Sequence, residues 1–122
     1  MAAMMKPALL EFIVKRTGLP ADVIERVYNA YPAKDREEEQ AMIAEIIAES
    51  RHQGISAVTM AKGVLMMAEA DGQLTQDCRT PEHTAMLEGV AKAAGTTFAV
   101  VCAISNAEFW YAMESEDADV AD

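Results

Sequence analysis

Ser56–Thr75 reads SAVTMAKGVLMMAEADGQLT, and the interpretation of this stretch decides the fold. Ser56 is a natural N-cap, because its hydroxyl accepts the amide N–H groups of a first helical turn. Asp71-Gly72 is a natural stop, because glycine enters the left-handed conformation that closes a helix. Between these ends Val58, Ala61, Leu65 and Ala68 form one apolar stripe at helical spacing, and Met60, Val64 and Met67 form a second beside it. Thr59, Lys62, Met66 and Glu69 are left for a narrow wet strip. A helix apolar over most of its circumference belongs inside a domain, so the spacing predicts a buried, central helix over Ser56–Asp71. Gly63 within it costs roughly 1 kcal/mol relative to Ala, a cost that close approach of a neighbouring helix would explain. The segment is too short and too charged to cross a bilayer, which takes about 20 apolar residues.

Helix signals continue on both sides. Pro7 opens a first helix with Leu9, Leu10, Phe12, Ile13 and Val14 on its apolar side, and Gly18 ends it. Pro20 and Asp22 start a second, with Val23, Ile24, Val27, Tyr28 and Tyr31 inward, and Pro32 ends it. A third is expected over Lys34–Gln53, opened by a capping box of Asp35 and Glu38 and buried through Ile43, Ile46 and Ile47, with Gly54 closing it. Thr80-Pro81-Glu82 is a strong start for a fifth, which runs to Gly95 with Met86, Leu87, Val90, Ala91 and Ala94 inward. The β-branched run after Thr97 alternates like a strand. A lone strand would leave an unpaired edge, so a sixth helix is expected from Thr97 to about Met113. The predicted fold is all-α: a single compact bundle of five or six helices with a central buried helix, formed by residues 1–114 and followed by an acidic disordered tail over 115–122.

At 122 residues the chain is one domain with room for a true core. Aromatic residues make up only 6% against 52% hydrophobic residues, so that core is aliphatic and methionine-filled. Of the nine methionines one is the initiator, and most of the others sit on apolar helix faces, for core filling or for a contact surface. The net charge is −10, half of it carried by the last nine residues, ESEDADVAD. Such a charge repels phosphate and disfavours direct binding to nucleic acid or to an anionic membrane, leaving a basic protein surface as the favoured charged partner. Two cysteines make no disulfide framework, and without a signal-peptide pattern the expected compartment is a reducing cytoplasm.

Few residues here point to chemistry. The sequence contains no P-loop, no dinucleotide fingerprint and no His-Glu-x-x-His. Cys78 and His83 are five apart, but Cys102 and His52 are too scattered to complete a zinc site. No catalytic residue and no cofactor is assigned, and the chain is not read as an enzyme. The segment NAEFWYAM is the stronger signal: Phe109, Trp110 and Tyr111 must point to different sides of a helix, and Trp and Tyr anchor interfaces most often. With Glu114, Glu116, Asp117 and Asp119 close behind, they form a candidate docking site for a basic partner.

Two local resemblances stand beside this reading. ALLEFIVKRTGLPADVIERVYNAYP is similar to the first two helices of HU-type nucleoid proteins, yet no basic β-arm follows, so the DNA-binding activity of that family is not implied. MMAEADGQLTQD resembles the helix end and acidic turn of TerB-like domains, all-α modules of tellurite-resistance and stress gene clusters. That resemblance implies a divalent metal held by Asp71 with Asp77 or Glu82. In size and charge the chain also looks like small acidic inhibitors encoded by phages and plasmids, including anti-CRISPR and other DNA-mimic proteins. The leading expectation is an acidic adaptor or inhibitor that docks on a basic protein surface, including one that ordinarily holds nucleic acid. A TerB-like metal-binding module and a self-associating phage structural or assembly protein are the alternatives.

Overall fold

The computed structural model describes residues 5–70 and 81–121, and among these the chain is entirely helix and short connections. Six helices follow in order: α1 Pro7–Thr17, α2 Ala21–Ala30, α3 Ala33–Gln53, α4 Ala57–Ala70, α5 Pro81–Ala94 and α6 Phe98–Ala121. The stretch after Thr97 is helical. Its alternating pattern arises because α6 buries more than one side.

The centre of the fold is α6. Its first half meets α1, α2 and α5 in the larger core cluster, built on Ile13, Ile24, Val27, Leu87, Val90, Val101 and Ile104. Its second half meets α3 and α4 in a smaller cluster of Ile46, Ala57, Ala61 and Met113, bordered by Phe109 and Trp110. The α3–α4 hairpin therefore packs chiefly on α6, with polar side-chain contacts from α3 to Tyr28, Tyr31 and His83. Among the described residues no single helix is long and apolar enough to cross a membrane.

This arrangement corrects the expectation for α4. Ala57 and Ala61 are buried on the α6 side, but Val64, Met66 and Met67 stand in the solvent at 41%, 65% and 69% exposure. Small residues, Ala57 and Ala61, bring the start of α4 close to α6, while Val64, Met66 and Met67 further along it are uncovered. Gly63 is not explained by a close neighbour, since a Cβ there would meet nothing within 4 Å.

The tail is a second correction. Residues from Ser115 onward continue α6 to Ala121. Acids at a helix C-terminus oppose the macrodipole, and here that cost is offset by partners elsewhere in the fold: Arg16 for Glu114, Arg51 for Glu116 and the start of α4 for Asp117. The expected capping box is also displaced. α3 begins at Ala33 with Pro32 as N-cap and no side-chain capping bond, which puts Asp35 inside the first turn. At the other end Gly54, at φ 70°, donates its N–H to Arg51 and Ser50 carbonyls, and Ile55 N–H reaches Ser50 O at 3.0 Å.

Candidate functional site

Phe109, Trp110 and Tyr111 lie on three sides of α6, and each is half-buried. Phe109 and Trp110 meet edge to face with ring centroids 4.9 Å apart and pack against the smaller cluster. Tyr111 turns the other way and sets its ring against Phe12 of α1 at 5.2 Å. The structure thus brings the trio into the wall of one cleft rather than onto an open knob.

The acids expected beside them are largely engaged within the fold. Glu114 accepts a 2.8 Å bond from Arg16, and Glu116 pairs with Arg51. Asp117 accepts the Ala57 N–H at 2.7 Å and the Val58 N–H at 3.1 Å, while Ser56 Oγ takes the Thr59 N–H at 3.0 Å. Three amides of the first turn of α4 are thereby satisfied. Asp119 is exposed.

The cleft lies between the α3–α4 hairpin and the faces of α1, α2, α5 and α6, with a volume of about 650 Å³. Leu9, Ile43, Leu65, Phe109 and Trp110 give it apolar walls, and Met42 and Val64, 46% and 41% exposed, stand at its mouth. Its polar lining includes Asp35, Arg36, Glu38, Glu39, His83 and Glu108.

A partly buried polar network ties the cleft together where α2 turns into α3. Arg36 donates to Glu108 at 2.7 Å and to the Tyr28 carbonyl at 3.3 Å, with its guanidinium 3.9 Å from the Tyr28 ring centroid. Tyr31 donates its hydroxyl to Glu39, which also lies 3.2 Å from His83 Nε2. Burial raises the Glu108 carboxyl above its ordinary range even though Arg36 pulls it down. Burial and the bond to Glu39 push the Tyr31 phenol upward as well, so it remains a donor. The network joins four helices, α2, α3, α5 and α6.

Sequence reasoning placed Tyr28 and Tyr31 inward but missed Arg36, Glu39 and Glu108 as a group. One signal was legible: Glu108 is the only charged residue between Lys92 and Glu114, in a run otherwise suited to a core. A carboxylate so placed needs a partner.

Among the described residues no three His, Cys, Asp or Glu side chains are grouped to hold a metal ion. Asp71, Asp77 and Cys78 lie outside the described residues, and Glu82 is exposed in the first turn of α5. Comparison of the chain with family models, with curated proteins and with solved structures finds no match.

Proposed function

We propose that this chain is a small acidic protein-binding module, an adaptor or inhibitor that docks on a basic surface of another protein. The observation that carries the reading is the uncovered apolar group on the α3–α4 hairpin, Met42, Val64, Met66 and Met67, set in a chain of net charge −10. Exposed apolar side chains beside a cleft are characteristic of contact surfaces, and thioether side chains adapt to varied partners. Glu114, Glu116 and Asp117 are paired within the chain, whereas on α3, beside the cleft, Glu37, Glu38 and Glu45 are exposed and able to steer a partner. The aromatic trio then supports the contact as the wall of the cleft. A partner surface that ordinarily holds nucleic acid has the required charge.

The test is affinity capture from the native host, followed by kinetics on the recovered protein across a salt series. The expected partner is basic. Its association rate should fall as salt rises, because exposed charges are screened beyond about 10 Å at 0.1 M. Recovery of a neutral or acidic partner whose binding ignores salt would overturn the reading.

A further inference from the structure

We infer that the cleft is the seat of one amphipathic helix from a basic partner, its apolar side against Leu9, Ile43, Leu65 and Trp110 and its lysines or arginines over the acids of α3. This rests on the protein-binding reading above and specifies its surface and mode.

Size and wall chemistry set the first constraint. A volume of about 650 Å³ falls within the roughly 300–1,000 Å³ of clefts that hold a ligand. The apolar walls, with Met42 and Val64 at the mouth, suit side chains spaced i, i+3, i+4 and i+7 on an incoming helix.

Charge sets the second. The lining holds Asp35, Glu38, Glu39 and Glu108 against Lys6 and Arg36, besides His83. Arg36 is spent on Glu108, and Glu39 is bonded to Tyr31 and near His83, which leaves Asp35 and Glu38 at the rim. From there Glu38, Met42, Glu45 and Glu49 continue along one exposed face of α3 at spacings of four, three and four. That stripe is about 16 Å long at 1.5 Å per residue, longer than a small cation needs and well matched to a helix with mixed apolar and basic positions. A second copy would set these acids against their own kind, at −10 per chain.

The experiment uses the full chain and a synthetic peptide of about 18 residues, five turns of leucine and lysine patterned as an amphipathic helix. The peptide carries no tryptophan, so the single Trp of the protein, Trp110, reports on the cleft directly. Saturable binding with a shift in Trp110 emission is expected, about tenfold or more tighter than for a peptide of the same composition scrambled to lose its apolar side. Val64→Lys and Glu38→Lys should each weaken binding about tenfold, whereas Glu88→Lys, on an exposed face of α5 outside the cleft, should change it by less than about twofold. Circular dichroism melts confirm that each variant is folded. Equal affinity for the scrambled peptide, or equal loss in Glu88→Lys, would mean that binding reads net charge alone; the cleft proposal then fails while the basic-partner reading stands. A patterned peptide that does not bind also overturns the cleft proposal, and the capture experiment still decides the broader reading. A dimer in sedimentation that Val64→Lys dissolves would assign the cleft to a second copy and overturn it likewise.

Discussion

Asp117 does for α4 what a neighbouring residue does at most helix starts, although sixty residues separate it from Ala57. Its carboxylate takes two amide N–H groups at the positive end of the helix, and Ser56 alone would leave them open. Replacing a capping side chain typically costs about 0.5–2 kcal/mol, and Asp117→Ala is expected near the top of that range, because two bonds and a charge–dipole contact are lost together. Urea unfolding measures it; an unchanged midpoint would mean that water replaces the carboxylate without loss. Glu108 makes a different prediction. A carboxyl with a raised pKa in the fold binds its proton more tightly there than in the unfolded chain. Its contribution to stability is therefore complete below its ordinary 4.5 and is lost as pH rises through the raised value. Glu108→Gln should flatten the stability profile above pH 4.5, checked by unfolding midpoints at a series of pH values. A variant profile parallel to that of the parent would show that Glu108 ionises in the fold as it does unfolded.

Among the helices, the apolar content of a segment proved a weaker guide to its position than the number of neighbours available to it. α4 is apolar nearly all round, yet Val64, Met66 and Met67 in its second half are exposed, and Leu65 is only half-buried at the cleft. α6 carries Asn106, Glu108 and a run of terminal acids, yet Ile104 and Met113 within it are wholly buried. Ile104→Ala is expected to cost about 2–5 kcal/mol, and Leu65→Ala less than about 2, since Leu65 is only partly buried whereas Ile104 is wholly so. Equal losses in thermal or urea unfolding would restore α4 to the centre. The helices themselves were legible because their boundaries are local chemistry: Pro7, Gly18, Pro32, Gly54 and Pro81 act on the adjoining turn. The course of α6 beyond Met113 was not legible, because the cations that stabilise its acidic end, Arg16 and Arg51, are 98 and 65 residues away in the chain. The cleft was hidden for the same reason, as its lining comes from six helices.

For the molecule as a whole, the unequal core clusters imply unequal local stability. The larger cluster joins four helices through twelve buried residues, whereas the smaller rests on Ile46, Ala57, Ala61 and Met113. Regions with fewer buried apolar contacts open at lower free energy. Amides of α3 and α4 should therefore exchange with deuterium on the order of tenfold faster than those of α5 and the first half of α6. Uniform protection across all helices would instead mark a single cooperative unit. The shared wall has one more consequence, for synthesis. α6 leaves the ribosome after the five helices it supports, at a synthesis rate of about 5–20 residues per second, and a domain generally folds as a unit. Until Asp117 has cleared the exit tunnel, the nascent chain holds two unfinished apolar surfaces and an α4 whose first amides still face water. Emergence of the later turns of α6 lets these waiting halves close into one body, so a translation product halted within α6 is the form of this protein that chaperones and proteases would recognise.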